Sequence, residues 1–278
     1  MSIKLGNITI GSLYLGSTKI SEAYLGNVKI LNSGLPAIGQ KTLRFDFSVD
    51  HFDPVTFFDP NNAPDTNAAT AWTNAANAGL TWTHVTGDIY DFTYNNTAWY
   101  NTSTSGLFNK YSYKSGSKTI YPMSSAITVC DVIDSDLTGV TDVNRLFNSC
   151  PKVRNCVLKN TGSIANAQSL FYNGSIQLET INALDLSSAT NINSLFRNCK
   201  YLTSPLSITL SGAVKDCGYA FYNCWDVPSG ALALYNNLSG QTNIPTTYGS
   251  CFTNCGANTT TGAAELAQIP SSWGGTGA

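Results

Sequence analysis

Charged residues are scarce in this chain, and this limits the partners it can have. Asp, Glu, Lys and Arg make up only 12% of the 278 residues, and the net charge is −2. The usual charged fraction is about 25%. Nucleic-acid binding depends on a strongly basic surface, so we expect no nucleic-acid partner. Apolar residues, at 42%, are numerous enough to bury a core, so we do not expect a disordered chain.

Long apolar runs are also missing. No stretch approaches the roughly 18 consecutive apolar residues of a membrane helix, so we expect no insertion into a membrane. The first residues, Met1 to Gly6, show no charged leader followed by an apolar run and a cleavage site. The sequence therefore predicts a soluble protein that is made in the cytoplasm and stays there or leaves by lysis.

Cysteine and histidine do not form the pattern of a metal site. There is no Cys-x-x-Cys pair, and the two histidines, His51 and His84, are far in sequence from most of the cysteines. Eight cysteines in this length are also far fewer than the about 8–10% of a disulfide scaffold. We expect no metal and no cofactor.

Familiar catalytic motifs are missing as well. Gly116 to Thr119 reads Gly-Ser-Lys-Thr, which lacks the adjacent Gly-Lys and the earlier glycine of a phosphate-binding loop. No Gly-x-Ser-x-Gly elbow marks a Ser-His-Asp triad, although the sequence alone leaves a triad open. We expect a protein that is not an enzyme.

Two groups of aspartates are the remaining candidates for chemistry, because a pair of carboxylates can hydrolyse a glycan. The two groups are Asp46, Asp50, Asp53, Asp59 and Asp65, and Asp131, Asp134 and Asp136. Aspartate is common at turns, so we interpret them as solvated turn residues. The stretch from Asp59 to Asp65, with Asn61 and Asn62, offers oxygen ligands for Ca²⁺ but lacks the spaced pattern of a calcium loop.

Aromatic side chains could stack on sugars, and five of them stand out. They are Trp72, Trp82, Trp99, Tyr100 and Trp225. Most Trp and Tyr residues in a small β-rich region belong to its core. The ligand-binding residues therefore stay undetermined at this point.

A short phrase recurs in the C-terminal half, with phenylalanines 24, 25, 25 and 31 residues apart. Its copies are Leu146 to Cys150, Leu170 to Asn173, Leu195 to Cys199, Ala220 to Cys224 and Cys251 to Cys255. A period in the twenties is typical of a stacked solenoid, in which each repeat buries its apolar face against the next. We call this the Phe-x-Asn phrase. The longer last interval indicates an insertion after Cys224, around Asn236 to Thr246.

Each repeat also contains a second apolar stretch, which we interpret as a short parallel strand. The stretches are Leu184 to Leu186, then Leu206, Ile208 and Leu210, then Leu232 and Leu234. We expect these strands to stack into one sheet and the Phe-x-Asn phrase to form a turn or short helix on the opposite wall. The asparagines should form a ladder of bonds from side chain to main chain.

The cysteines of the phrase, Cys150, Cys199, Cys224 and Cys255, have a structural interpretation. In a solenoid they would stack along one edge as small buried thiols. Disulfides are the alternative, but nothing indicates an oxidising compartment. We therefore interpret the phrase as a packing register. We expect recognition in what varies between repeats, such as the long interval after Cys224, or in the aromatic region before them.

The first thirty residues carry a shorter repeat with a period of ten. Its copies are Leu5 to Ile10, Leu15 to Ile20 and Leu25 to Ile30. Apolar alternation interrupted by Gly-Asn or Gly-Ser is typical of short antiparallel strands joined by tight turns. So short a segment buries little surface, so we expect it to dock on another body.

The predicted fold class is mixed α/β and β-dominated, in four segments. These are a β-hairpin anchor at 1–31, an aromatic β-rich cap at 41–122, a leucine-rich-repeat-like solenoid at 123–270 and a tail at 271–278 around Trp273. Within the cap we predict a half-buried strand at Leu43 to Val49, a short helix at Ala68 to Ala78, and strands at Thr81 to Val85 and Ile89 to Tyr94. A helical turn at Ala263 to Gln268 should close the solenoid before Pro270.

The repeat resembles the BspA-like leucine-rich repeat, in which a Met- or Leu-Phe-x-x-Cys phrase accompanies a Leu-x-x-Leu-x-Leu-like strand. Departures are Gly174 in place of a cysteine, and Ala220 and Cys251 in place of leucine. The order of elements also resembles appendage proteins of tailed phages that infect Bacteroides-type hosts. Those proteins begin with Leu-Gly-x-x-x-Ile strands and pass through an aromatic segment like Asp91 to Tyr94 into such repeats.

The resemblance implies a structural and adhesion component of a virion, a head or tail fibre or spike. Residues 1–30 would contact other virion proteins, and the repeats would meet a glycan or protein of the host surface. Fibre proteins are usually symmetric, so we expect a homo-oligomer. The alternatives are a bacterial BspA-like surface adhesin exported by an unrecognised route and a capsule-degrading tail spike.

Overall fold

The computed structural model describes residues 41–77, 80–94, 112–120, 126–148, 152–172 and 177–278, and six strand backbones between residues 3 and 32. The chain divides into two compact bodies, an N-terminal body, Met1–Ala37, and a main body, Ile38–Ala278. None of the helices in these ranges is long and apolar enough to cross a membrane.

The N-terminal body contains three antiparallel strand pairs, one for each ten-residue repeat. The strands are β1 (Ile3–Leu5), β2 (Ile8–Ile10), β3 (Leu13–Leu15), β4 (Thr18–Ile20), β5 (Glu22–Leu25) and β6 (Val28–Asn32). β1 pairs with β2, β3 with β4 and β5 with β6. The period of ten is thus the length of one strand pair with its connection.

The main body is built around a mixed sheet of six strands. They are β7 (Thr42–Asp46), β8 (Leu80–Thr86), β9 (Ile89–Tyr94), β12 (Cys130–Asp136), β13 (Val153–Lys159) and β14 (Thr180–Ile181). Their order is β14, β13, β12, β7, β9, β8. The first three are parallel to one another and the remaining pairs are antiparallel. The protein is therefore mixed α/β and strand-dominated, as predicted, and one sheet crosses the predicted boundary between cap and repeats.

The strand predicted at Leu43 to Val49 is shorter and more deeply buried than expected. β7 ends at Asp46, and Arg44, which the alternation placed on a solvated face, is fully buried. Thr42, Leu43, Arg44 and Phe45 are all buried, so both faces of β7 are covered. The half-buried prediction is therefore wrong here.

Other predictions for the cap are confirmed. Two helices, α1 (Pro54–Phe57) and α2 (Thr66–Asn77), follow β7, and α2 lies where the short helix was predicted. The strands β8 and β9 also match their predicted positions. Phe58 meets Trp72 of α2 edge to face at 5.5 Å, so aromatic contacts fasten the helices to the core.

The repeats stack with their phenylalanine rings in register. The rings of Phe147, Phe171, Phe196, Phe221 and Phe252 lie 5.1 to 6.3 Å apart with interplanar angles of 5° to 22°. The backbone N–H of each phenylalanine donates to a carbonyl of the following segment at 2.7 to 2.9 Å. The Phe-x-Asn phrases form turns, which agrees with the turn alternative of the prediction.

The turns depend on left-handed backbone at two repeated positions. The residue two before each phenylalanine has a φ of 55° to 59°; these residues are Arg145, Ser169, Ser194, Tyr219 and Ser250. The asparagines Asn198, Asn223 and Asn254 have φ values of 66°, 59° and 58°. Asparagine tolerates this conformation better than most residues, which explains its recurrence in the phrase.

The asparagines of the phrase form a ladder between side chains, whereas the predicted ladder was from side chain to main chain. The amide of Asn223 donates to Oδ1 of Asn198 at 3.0 Å, and the amide of Asn254 donates to Oδ1 of Asn223 at 2.8 Å. Each amide offers both a donor and an acceptor, so one asparagine can link two neighbours. Bonds from asparagine side chain to main chain do occur elsewhere in the repeats, where Oδ1 of Asn166 and of Asn191 accepts from the N–H two residues later.

The cysteines of the phrase pack as predicted. Cys199, Cys224 and Cys255 are buried thiols, and Cys150 lies outside the described residues. The thiol of Cys224 donates to the carbonyl of Phe196 at 3.1 Å. Burial raises the pKa of the Cys224 and Cys255 thiols well above the usual value.

The strand predicted at Leu232 and Leu234 is wrong. These residues lie in a helix, α3 (Ala231–Ser239), whose buried residues Ala231, Leu234 and Leu238 follow a helical spacing. The Glu265 carboxylate accepts hydrogen bonds from the N–H groups of Gly230 and Leu232 at 2.9 and 3.2 Å. It thereby supports the positive end of the helix, a contact that no local pattern could indicate.

Two of the three predicted repeat strands pair in parallel as predicted. They are β15 (Leu184–Asp185) and β16 (Ile208–Thr209). The third lies in the helix α3, and β14, which was not predicted, belongs to the six-stranded sheet. The strands are only two residues long, so few ladder bonds hold them in line.

The C-terminal helix is confirmed, and the segment after it is well packed. The helix α4 (Thr260–Leu266) precedes Pro270 as predicted. Trp273, placed in a tail by sequence, is buried and stacks on Tyr248 at 4.4 Å. Its carbonyl accepts the hydrogen bond of the Phe252 N–H at 2.9 Å. The segment thus covers the last phenylalanine repeat.

Candidate functional site

The middle position of the Phe-x-Asn phrase is where the repeats differ on the surface. The flanking phenylalanines are buried to 1% exposure or less, because they form the ring stack. The middle residues are Asn148, Tyr172, Arg197, Tyr222 and Thr253; Asn148 is buried and the other four are partly exposed. The repeats therefore share the same buried phenylalanines but differ in the side chains beside them at the surface.

Three of these repeats contribute to one surface cluster around an arginine. The guanidinium carbon of Arg197 lies 5.1 Å from the ring centroid of Tyr172, 4.6 Å from that of Tyr219 and 5.4 Å from that of Tyr222. The rings of Tyr219 and Tyr222 meet edge to face at 5.6 Å. We call these four residues the arginine–tyrosine cluster. Distances under about 6 Å are typical of cation–π contacts.

The fold places each member of the cluster. Tyr172, Arg197 and Tyr222 occupy the same phrase position in successive repeats. Tyr219 stands at the left-handed position, with a φ of 56°, where the neighbouring repeats carry Ser194 and Ser250. Tyr219 is 40% exposed, so the cluster is open to solvent on this side.

The hydrogen bonding of Arg197 is incomplete. Its Nε is buried and has no hydrogen-bond partner. The ion pairs of the described residues use Arg44, His51, Arg154 and Lys159 as cations and do not include Arg197. Buried donors without partners are rare in native proteins. The cluster therefore presents a positive group whose donors the protein does not fully use.

A second surface feature is an open depression of about 380 Å³ at the edge of the repeats. Val129, Arg154, Gln177, Glu179 and Tyr201 line it. The ring of Tyr201 is 53% exposed. The Arg154 guanidinium is occupied, since it donates to the Asp131 carboxylate at 2.7 and 3.2 Å. That contact also raises the pKa of Arg154.

The tryptophans that stood out in sequence have different positions. Trp72 is a core residue, 3% exposed, and Trp82 and Trp225 are partly buried. Trp72 and Trp82 line a smaller cavity of about 190 Å³, and the indole N–H groups of both lack a partner. Trp99 and Tyr100 lie outside the described residues.

The aspartates of the first group accept local hydrogen bonds. Asp53 caps α1, Asp65 accepts from the N–H of Ala68 in α2, and Asp59 caps the short turn after it. Asp50 accepts from Thr128, and Asp46 accepts from the N–H of Ser48. Burial alone would raise the pKa of Asp53, but hydrogen bonds from Thr56 and Val55 hold it below the usual value.

The second group is paired with cations or turn residues. Asp131 binds Arg154, Asp134 binds Lys159, and Asp136 accepts from Thr138 and Asn160. Within the described ranges no three residues among His, Cys, Asp and Glu are placed to hold a metal ion. Each acid of the two groups thus has a structural partner.

The Gly-Ser-Lys-Thr segment lies in a strand pair. Gly116, with a φ of 59°, occupies the turn between β10 (Tyr113–Ser115) and β11 (Lys118–Ile120). The ammonium of Lys114 donates to Oγ1 of Thr119 at 2.7 Å. A turn between two antiparallel strands differs from the strand-to-helix geometry of a phosphate-binding loop.

The arginine–tyrosine cluster was not predicted from the sequence, because the whole phrase was interpreted as a packing register. The available signal was the variation of the residue that follows the phenylalanine, from Asn148 and Tyr172 through Arg197 to Tyr222 and Thr253. Residues 24 or 25 apart become neighbours once the repeats stack. Comparing that one column across repeats would have brought Tyr172, Arg197 and Tyr222 together.

The geometry defines a strand-dominated mixed α/β protein with a stacked set of repeats and an open, partly aromatic surface. No protein-family model matches the chain, and neither curated proteins nor solved structures show a significant match. The function therefore has to be inferred from the residues themselves.

Proposed function

We propose that this protein is a non-enzymatic structural and adhesion component of a phage virion, a head or tail fibre or spike. Residues 1–30 attach it to other virion proteins, and the repeats present a surface to a glycan or protein of the host cell. It is made in the host cytoplasm and acts in the particle as a homo-oligomer. The support is the element order and the form of the repeat surface.

The stacked repeats support a leucine-rich-repeat-like solenoid as the architecture of the distal region. Parallel bridges connect the equivalent residues Asp142, Asn166, Asn191, Asp216 and Thr247 in successive repeats. In the first four of these, the side-chain oxygen accepts a hydrogen bond from the N–H two residues later at 2.8 to 3.2 Å. Such repetition lets a solenoid vary its surface while its interior stays constant.

The observation that carries the proposal is a contrast within the Phe-x-Asn phrase: its phenylalanines are buried, and four of the five residues that follow them are partly exposed at the surface. The phenylalanines of the phrase are nearly inaccessible, whereas Tyr172, Arg197 and Tyr222 beside them form one cluster across three repeats. Exposed tyrosine and arginine are enriched at recognition surfaces. A surface of this kind suits adhesion.

Attachment through the N-terminal body is tested by deleting residues 1–30. Residues 1–37 form a compact body of their own, so we expect the shortened chain to fold and to be absent from purified particles. Circular dichroism and thermal unfolding verify the fold, and mass spectrometry of virions measures incorporation. Normal incorporation of the shortened chain would exclude this attachment.

The place of action is tested with the full chain. Fractionation of infected cultures should find the protein in purified virions and not on the surface of uninfected cells. Detection on uninfected cells would favour a bacterial adhesin. Purified protein incubated with host capsule should release no sugar, and release would favour a depolymerase.

A further inference from the structure

We infer that the arginine–tyrosine cluster binds the carboxylate of an acidic sugar on the host surface. This inference rests on the proposed function, because it names the ligand of the surface that the virion component presents. The cluster contains Tyr172, Arg197, Tyr219 and Tyr222 and extends over three repeats.

The charge of Arg197 is the first argument. Its guanidinium contacts three aromatic rings, which attract a cation but leave its N–H donors largely unmet. The buried Nε has no partner, and Arg197 takes part in none of the ion pairs between described residues. A carboxylate can accept two parallel hydrogen bonds from such a fork. Since no described residue gives this guanidinium an acidic partner, we infer that a carboxylate binds to its solvent-facing side.

The rings supply the second argument, which concerns the rest of the ligand. Tyr219 is 40% exposed and Tyr172 and Tyr222 are partly exposed, so part of each tyrosine reaches the solvent beside the arginine. A sugar ring has an apolar C–H face and hydroxyls that suit such rings. Free phosphate has neither. A uronic acid joins the carboxylate and the sugar ring in one residue.

The low charge of the surface supplies the third argument. The chain carries a net charge of −2, and Arg197 is the single cation of the cluster. A dense polyanion requires several cations along its path. One guanidinium among tyrosines matches a ligand with one negative charge per residue.

The direct test titrates the purified full-length protein with methyl β-glucuronide, methyl β-glucoside and inorganic phosphate by NMR or calorimetry. We expect the glucuronide to bind about tenfold or more tightly than the glucoside, because a charge-assisted hydrogen bond is lost in the latter. Absence of glucuronide binding, or equally tight binding of phosphate or glucoside, would overturn the inference.

Matched variants assign the binding to the cluster. Arg197→Gln should weaken glucuronide binding about tenfold or more, and Arg197→Lys should restore it only in part because lysine lacks the fork. Lys200→Gln removes the same charge from an exposed residue of the same repeat and should leave binding unchanged. Equal binding by Arg197→Gln and the unchanged protein would also overturn the inference.

A second variant protects the test against a folding defect. Tyr219→Ser introduces the residue that the neighbouring repeats carry at this position, as Ser194 and Ser250 show. We expect it to melt close to the unchanged protein and to bind glucuronide several-fold less tightly. If it melts normally and binds equally well, the rings do not contribute and the acidic-sugar site is rejected.

Host-cell binding separates this inference from the proposed function. If Arg197→Gln loses glucuronide but still binds host cells fully, adhesion stands and the acidic sugar is not the ligand through which it acts. If the unchanged protein binds glucuronide but no host cell, the proposed function fails while the site stands.

Discussion

The cap and the stacked repeats of the main body bury aromatic rings in different ways. In the repeats, Phe171 and Phe196 stack at 5.1 Å with an angle of 5°. In the cap, Phe47 meets Phe52 at 75° and Phe58 meets Trp72 at 89°. The repeats reuse one packing solution at a fixed spacing, whereas the cap assembles unlike side chains from distant segments. The difference decides how each region responds to substitution.

The two regions also satisfy buried polar groups differently. The cap buries Arg44 completely and pairs it with Asp91, through bonds of 2.6 and 2.7 Å. The repeats use neutral amides, which link Asn198, Asn223 and Asn254 at 3.0 and 2.8 Å. A charged pair is unique to its position, while an amide ladder can be extended by each added repeat. The cap therefore depends on individual contacts between unlike residues, whereas the repeats depend on the same contact made at equivalent positions.

The largest expected effect is on the ring stack. Phe196→Ala removes a ring with a phenylalanine on either side and should lower the free energy of unfolding by about 4 kcal/mol. Urea unfolding measures the loss. Tyr201→Ser, at a side chain that is 53% exposed, serves as the control with little change. A loss as small as that of the control would mean that the stack contributes little stability.

The second largest loss of stability is expected at the buried ion pair of the cap. Asp91→Ala takes the carboxylate away from the fully buried Arg44 and should cost about 3 kcal/mol. The matched control is Lys159→Ala, which breaks the exposed pair with Asp134 and leaves the residue at positive φ unchanged, so it should cost about 1 kcal/mol or less. Thermal and urea unfolding compare the two. Equal losses would show that burial does not strengthen the Arg44 contact.

The asparagine ladder should have a smaller effect. Asn223→Ala removes both ladder bonds and places alanine at a φ of 59°, so we expect a loss of about 2 kcal/mol. Asn223→Gly removes the bonds but tolerates the backbone, and should lose about half as much. If the two variants are equally stable, backbone conformation is not the reason for asparagine here.

The thiols have the smallest effect at neutral pH, and they add a loss of stability at alkaline pH. Burial raises the pKa of Cys156, Cys224, Cys251 and Cys255 well above the usual value. The folded chain therefore keeps protons that the unfolded chain loses above about pH 8.5. The contribution to stability is complete below that pH and declines as the pH rises towards the folded pKa. Unfolding between pH 7 and 10 measures it.

Thiol labelling provides the control for that experiment. Seven cysteines are buried thiols, so at most one of the eight in the chain should react quickly with DTNB in the folded protein. All eight should react in denaturant. Fast labelling of several cysteines in the folded state would contradict their packing role.

Prediction from sequence succeeded where one segment determines its own conformation. The helix α2 and the strands β8 and β9 were placed from local composition and alternation, and the turns of the Phe-x-Asn phrase from its residues. It failed at β7 and at Leu232 and Leu234. Alternating leucines fit both a strand and a short helix, and the contact with Glu265, 33 residues away, favours the helix.

The candidate site was beyond local prediction for a related reason. Arg197, Tyr172 and Tyr222 are separated by 25 residues in each direction, and no window of the sequence contains all three. Tyr219 joins them from a different position of its repeat, where the neighbouring repeats carry serine. A comparison of the residue after each phenylalanine would have indicated these three members of the cluster. It would not have indicated the distances between them or that Nε of Arg197 lacks a hydrogen-bond partner.

The sequence by itself determined the period of the repeats, the burial of their phenylalanines and thiols, and the ten-residue strand pairs. These follow from residues that recur at fixed intervals, since equivalent positions meet when the repeats stack. Only the tertiary structure decided the six-stranded sheet, the Arg44 contact with Asp91, the capped helix α3 and the arginine–tyrosine cluster. Each of these joins segments that no pattern relates, and which contact forms depends on the packing of the whole body.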